Sequence, residues 1–340
     1  MTSTPHPVVD DMVDAILVRA TGGPEVLELG KVPAPKPGAG DLVVSVAAAG
    51  VNFIDVYHRS GQYGMPLPFT PGGEGAGTVL AVGDDVTGFA EGDHVAWTAA
   101  PGSYAQQVIV PAAAAFRIPE GVEDEVAAAA MLQGITAHYL VTSTYAVKPG
   151  DTVLVHAAAG GVGLLLVQLA KFRGGKVIGT VSTPEKEALA REAGADEVIR
   201  YTETDFAEAV ADLTGGVGVA AVYDGVGRTT FDGSLASLSR RGVLALFGAS
   251  SGPVPPVDPQ RLNTAGSVFL TRPTLGHHIA TPEEFQWRCD ELFSAIAAGR
   301  VSVRIGGRYP LADAAKAHED LEGRRTTGKL LLLPSAVSVA

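Results

Sequence analysis

The run His156-Ala157-Ala158-Ala159-Gly160-Gly161-Val162-Gly163 limits what this chain can fold into more than any other feature. It begins in a short apolar segment, Thr152–Ala157, that predicts a buried strand, and it opens Gly163–Phe172, which predicts a helix. Ala158-x-Gly160-x-x-Gly163 is the spacing of a dinucleotide-binding turn with alanine in first place. Small residues let the backbone turn tightly and let a pyrophosphate approach. The helix N-terminus then offers free N–H groups and the positive end of its dipole. Gly163 lets the helix lie close to the strand. A glycine turn alone is a weak signal, so the surrounding pattern decides.

That pattern is an alternation of strands and helices. Lys176–Val181 predicts a strand and Pro184–Ala193 a helix; Glu197–Tyr201 and Asp205–Leu213 repeat the pair, as do Val219–Asp224 and Phe231–Leu238. Gly242–Phe247 and Ser267–Thr271 predict strands five and six. Six short apolar strands with helices between them predict a doubly wound, parallel six-stranded sheet of the Rossmann type.

Before this region the chain reads as β-rich. Ala15–Arg19, Val26–Leu29, Leu42–Ala47, Gly77–Val82, His94–Thr98, Ala105–Val110 and Ala115–Ile118 are short apolar segments separated by Gly, Pro and Asp. Such spacing predicts a barrel-like β domain. After it, Thr281–Gly299 predicts a helix, Val301–Ile305 a strand, Leu311–Leu321 a helix and Lys329–Leu333 a last strand. This tail is expected to pack back on the first domain. The division is therefore 13–130 and 276–340 for a discontinuous domain, with 131–275 between them. The length of 340 residues suits two domains.

A formal net charge of −12 argues against nucleic-acid partners and against docking on anionic membranes, both of which need basic surfaces. The single cysteine, Cys289, can form no internal disulfide, and its helical setting predicts a structural role. Met1–Asp14 lacks the basic start and apolar run of an export signal and is expected to be a loose tail. Apolar runs such as Val162–Ala170 are too short to span a bilayer. A cytoplasmic location is expected.

The end of the second strand of the alternating region selects the cofactor. An Asp or Glu there binds the ribose hydroxyls of NAD. This chain has Thr180-Val181-Ser182-Thr183 and then Lys186, which suit a 2′-phosphate and so predict NADPH. Glu185 reads as a first-turn helix charge.

Several segments together resemble the zinc-independent NADPH:quinone oxidoreductases, the zeta-crystallin-like branch of the medium-chain dehydrogenase/reductase superfamily. They are Ala48-Ala49-Gly50-Val51-Asn52-Phe53-Ile54-Asp55, Arg59-Ser60-Gly61-Gln62-Tyr63, Gly73-Glu74-Gly75-Ala76-Gly77, Leu132-Gln133-Gly134-Ile135-Thr136-Ala137, the glycine loop, and Phe247-Gly248-Ala249-Ser250-Ser251-Gly252. The resemblance runs from about Val13 to Pro334. It implies an α/β protein with a GroES-like β-barrel domain and a Rossmann domain, the active-site cleft lying between them, and a homodimer joined through the sixth strands. It implies that Asn52, Tyr57 and Tyr63 line the nicotinamide and substrate cleft, and that Gln133 and Thr136 surround the nicotinamide ribose. By the same resemblance Gly160, Gly161 and Val162 hold the pyrophosphate. Lys186, Tyr201 and Arg324 (or its neighbour Arg325) join Ser182 at the 2′-phosphate, and Phe247, Ser250, Phe269 and Leu270 run past the nicotinamide carboxamide.

Zinc dehydrogenases of the superfamily need three side-chain ligands and an open position. Here Asn52 and Asp55 stand where a cysteine ligand is expected, Gly72-Gly73-Glu74 replaces a Gly-His-Glu, and the histidines are dispersed. No metal is therefore expected. Without a Lewis acid, alcohol oxidation is difficult, whereas a quinone is already electrophilic. The expected reaction is NADPH-dependent quinone reduction, with Asn52 and the tyrosine hydroxyls bonding the acceptor oxygen. An enoyl or 2-alkenal reductase of the same fold is the alternative, and an NADPH-binding protein with little turnover is a third reading.

Overall fold

The computed structural model describes residues 12–334; the expected N-terminal tail falls almost entirely outside them. In chain order the elements of the first region are β1 (Met12–Leu17), β2 (Glu28–Pro33), β3 (Asp41–Val51), α1 (Phe53–Arg59), β4 (Glu74–Val82), β5 (His94–Thr98), β6 (Gln107–Pro111), β7 (Ala115–Arg117) and α2 (Asp124–Tyr139). The middle holds β8 (Thr152–Val155), α3 (Gly161–Phe172), β9 (Lys176–Val181), α4 (Pro184–Glu192), β10 (Glu197–Arg200), α5 (Phe206–Leu213), β11 (Val219–Asp224), α6 (Phe231–Ala236), β12 (Leu238–Leu246), α7 (Gln260–Thr264) and β13 (Phe269–Thr271). The tail holds α8 (Pro282–Ala297), β14 (Ile305–Pro310), α9 (Ala314–Glu322) and β15 (Lys329–Leu333).

The middle strands form one sheet in the order β10-β9-β8-β11-β12-β13, every pair parallel. The order reverses between β8 and β11, the switch point of a doubly wound fold, where ligands bind beyond the strand ends. Apolar side chains from both faces of the sheet, such as Leu154, Val155, Val222 and Tyr223, are fully buried.

The remaining strands form a second, mostly antiparallel sheet in the order β14-β15-β3-β4-β5-β7, with β6 also on β3 and a β1–β2 pair alongside. β3 is irregular between Val43 and Val44 and again between Val46 and Ala48, which bends it so that β4, β6 and β15 can all pair with it. Residues from the start and the end of the chain, including Val44, Trp97, Tyr104, Leu330 and Leu332, share one core. β14 and β15 of the tail thus belong to the same sheet and core as β3 to β7.

Two expected strands differ. Val301–Ile305 is not a strand: Val301 is buried in the core of the other unit, and β14 starts only at Ile305. Its pairing with β15 requires Gly306, where a Cβ would fall 1.6 Å from the Thr327 carbonyl oxygen. At Val26–Leu29, Pro24 instead opens a single 3-10 turn, and the strand follows it. Three helices, α1, α2 and the short α7, have no counterpart in the sequence reading. α1 is capped reciprocally, Asn52 with Asp55. α2 is buried on nearly all sides and packs on both β4 and α3, so it joins the two units. Among the described residues no helix is long and apolar enough to cross a membrane.

Candidate active site

The glycine loop closes β8 onto α3 at the switch point. At Gly163 a Cβ would come within 2.2 Å of the Ala157 carbonyl oxygen, so only glycine allows the helix to sit this close. At Gly161 a Cβ would meet Gln133 Oε1 at 1.9 Å. That oxygen is buried and accepts no hydrogen bond. An unmatched acceptor beside the open N-terminus of α3 fits a group that carries both hydroxyls and phosphate, as a dinucleotide does. Outside the loop, Gly328 donates its N–H to the Ala159 carbonyl at 3.2 Å and forms a bridge with Gly160.

The far end of this trough is cationic. Lys186 Nζ donates to the Arg324 carbonyl at 2.8 Å, and Arg324 holds left-handed backbone to present it. Burial, and then the Arg324 charge, lowers the proton affinity of Lys186. Neither side chain has an ion-pair partner among the described residues. Arg325, by contrast, is paired with Asp320. Ser182 follows β9, and its carbonyl accepts from Thr202; Tyr201 donates its N–H to Val181 and leaves its ring partly exposed. Glu185 lies in the first turn of α4.

Between the two sheets lies a cavity of about 470 Å³, lined by Asn52, Tyr57, Tyr63, Gln133, Thr136, Val162 and Phe247 among others. Tyr57 is 9% exposed; its hydroxyl accepts from the Ala249 N–H at 3.3 Å, and its ring meets Tyr63 edge-on at 5.3 Å. Burial raises the Tyr57 hydroxyl above its ordinary range, so it stays a proton-bearing donor. Nine of the thirteen expected cofactor residues do not line this cavity, among them Ser182, Lys186, Tyr201 and Arg324 described above. Phe269, 61% exposed, and Leu270 sit on the outermost strand and do not line the cavity; Arg272–Gly276 form that wall instead. Ser250 is off the wall too, its N–H tied to the Gly225 carbonyl. Gly160 and Gly161 belong to the trough rather than the cavity.

The cavity floor departs from expectation. Asn52 Nδ2 donates to Glu74 Oε2 at 2.7 Å, and its Oδ1 accepts from Lys329 Nζ at 2.8 Å. Nδ2 also lies 3.5 Å from the Gly50 carbonyl, so protein groups hold both ends of the amide. Lys329 also forms a buried ion pair with Glu74, whose second oxygen accepts from the Leu132 N–H at 2.6 Å. Sequence reasoning missed Lys329; a lysine opening a strand carries no local sign of burial.

Beneath the floor, Asp55 Oδ2 accepts from the Asn52 N–H and the Tyr104 hydroxyl, both at 2.9 Å. Tyr104 also meets His318 Nε2 at 3.1 Å, and Arg59 meets His318 Nδ1 at 3.3 Å. Arg59 can only donate, so Nδ1 is the acceptor and Nε2 carries the proton. Burial pushes Asp55 up to about 6 and His318 down to about 3. Among the described residues, no group of three His, Cys, Asp or Glu side chains could hold a metal ion.

Comparison with known proteins places this arrangement. Residues 161–294 match the family described as zinc-binding dehydrogenase, and residues 38–120 match the alcohol dehydrogenase GroES-like domain. The chain is 46% identical to a quinone oxidoreductase of Pseudomonas aeruginosa, over 95% of this chain and 100% of that protein. It is 41% identical to a 2-haloacrylate reductase of a Burkholderia species, over 96% and 100%. A mycobacterial structure complexed with NADPH is 58% identical with a TM-score of 0.92, covering 94% of this chain and 100% of that one. The chain belongs to the quinone oxidoreductase family of the medium-chain dehydrogenase/reductase superfamily.

Proposed function

We propose that this enzyme reduces quinones with NADPH, by hydride transfer in the cavity between the two sheets and without zinc. The observation that carries the cofactor reading is the Lys186–Arg324 pair, two neighbouring cations that form no ion pair among the described residues. The 58% identical structure complexed with NADPH supports it. NADPH supplies the hydride when bound. The chain's own residues do the rest. Gly160, Gly161 and Val162 leave room for the pyrophosphate, Gln133 and Thr136 meet the nicotinamide ribose, and Ser182, Lys186, Tyr201 and Arg324 hold the 2′-phosphate. Phe247 packs over Gly225 and bounds the nicotinamide pocket, with Ser250 bracing the same loop.

The zinc-free reading rests on the donor set. An ammonium, Lys329, already neutralises Glu74, and Asn52 and Asp55 supply neither sulfur nor imidazole. A quinone needs little more than alignment and exclusion of water, because the hydroquinone anion formed is stabilised by aromaticity. It takes its proton from the tyrosine side of the cavity or from solvent. The enzyme is further proposed to act in the cytoplasm as a homodimer, to which β13 contributes an edge with Phe269 outward.

The test is NADPH oxidation by the purified protein with a simple benzoquinone, with NADH and a matched enone alongside. Fast quinone-dependent turnover, NADPH preferred, is expected; binding of NADPH without quinone turnover would overturn it. The similarity to a 2-haloacrylate reductase favours a second reading, reduction of activated double bonds. There a proton must reach carbon, so Tyr57→Phe or Tyr63→Phe would abolish enone turnover while only slowing quinone turnover.

A further inference from the structure

Among the described residues that line the cavity, Arg272 is the only lysine or arginine; Lys329 lies behind Asn52 and is fully buried. Arg272 stands just beyond β13, where the chain leaves the sheet edge and turns through Pro273 into the cavity wall. Its guanidinium forms no ion pair among the described residues, and its one side-chain hydrogen bond is a 3.3 Å contact to the carbonyl of the next residue, Pro273. Among the described residues that line the cavity the one carboxylate is Asp55; it forms no ion pair with Arg272, and its Oδ2 is taken by Asn52 and Tyr104. Arg272 is exposed at the cavity mouth, and Tyr57 and Tyr139 line the same cavity. Burial raises both hydroxyls, and the Arg272 charge pulls each of them part of the way back.

We propose that Arg272 is an anion subsite of the acceptor pocket, and that favoured acceptors carry a carboxylate on the ring or double bond to be reduced. The proposal rests on the reading of this cavity as the acceptor pocket and narrows its substrate class. A guanidinium presents paired N–H donors that match a carboxylate in two parallel hydrogen bonds. The rest of the lining mixes aromatic side chains, including Phe53, Phe69 and Phe247, with uncharged polar ones such as Gln133 and Thr136. A planar acceptor with an acidic substituent satisfies both features at once: the ring packs among the aromatics and the carboxylate meets the Arg272 guanidinium. A neutral quinone satisfies only the first. The adenosine end is served by Lys186 and Arg324, so Arg272 is not needed for the cofactor phosphates.

The test is calorimetric binding to the NADP⁺-saturated protein of two dead-end ligands matched in shape, benzoate and phenol. Benzoate is expected to bind about tenfold more tightly or better, about 1.4 kcal/mol, with the advantage shrinking as salt is raised. In Arg272→Gln the benzoate-to-phenol affinity ratio should fall toward one, and Arg272→Lys should keep part of it. Because the readout is a ratio within one protein, a general loss of folding does not mimic it. A ratio near one in the unaltered protein, or a ratio that survives Arg272→Gln, overturns the proposal. Turnover of neutral benzoquinone, measured separately, reports on the quinone reading alone: its absence alongside selective benzoate binding would remove that reading and leave the anion subsite standing.

Discussion

The Lys329 ammonium rests against the Glu74 carboxylate with the two side chains 1% and 0% exposed. Each ion offsets the desolvation of the other, and Asn52 and the Leu132 N–H satisfy the remaining polar atoms. Such a pair contributes little beyond what a well-packed apolar pair would, but removing one member strands a buried charge. Lys329→Met should therefore cost about 3–5 kcal/mol in urea unfolding. Adding Glu74→Gln to it should recover most of the loss. Equal stabilities for the single and double variants would show that the two residues are not coupled.

On the proposed reading, Lys186 and Arg324 set the cofactor preference. Lys186→Glu should weaken NADPH about tenfold or more, since it places a carboxylate where the 2′-phosphate is expected and removes a partly buried cation. NADH lacks that phosphate, so its affinity should change much less. Fluorescence titration with both nucleotides checks this; parallel weakening of the two would place Lys186 outside the adenosine site.

Acid stability should be governed by two groups of opposite sign. His318 is held near 3 by burial, against about 6.5 in an unfolded chain, so its contribution is full above pH 6.5 and is lost as pH falls toward 3. Asp55 is raised to about 6 by burial, so its contribution is full below its unfolded value of about 3.9 and is lost as pH rises through 6. Between pH 6 and 4 the two partly cancel. His318→Gln should remove the acid-side loss, and Asp55→Asn should unmask it as a steeper fall. Unfolding free energies at pH 7, 5.5 and 4.5 would expose the idea as wrong if all three proteins ran parallel.

The Rossmann unit was legible because its signals are local. β9 and β11 run over the same residues as the apolar segments that predict them, and Gly163 is required by a contact six residues away in sequence, with Ala157. α2 was hidden because Ala127–Met131 and Gly134–Tyr139 are buried in continuous runs, which leaves no polar face to reveal a helical period. α1 does carry a signal, the capping spacing Asn52-x-x-Asp55, but the same residues also stand in the cleft and in place of a metal ligand, and those readings hide the cap. Lys329 and Arg272 could not be found this way. One is buried and the other bare because of residues far away in the chain, Glu74 and the cavity walls, and nothing beside either residue encodes that.

The bridge between Gly160 and Gly328 makes the nucleotide unit non-contiguous. A fragment cut at 131–275 would keep the whole glycine run yet lose the backbone N–H that Ala159 accepts from, together with Arg324 and the strand that delivers Lys329 to the cavity floor. The boundary that matters for holding a dinucleotide is thus drawn by a stitch from the chain's last strand, and an attempt to transplant the Rossmann unit onto another protein would have to carry that stitch with it.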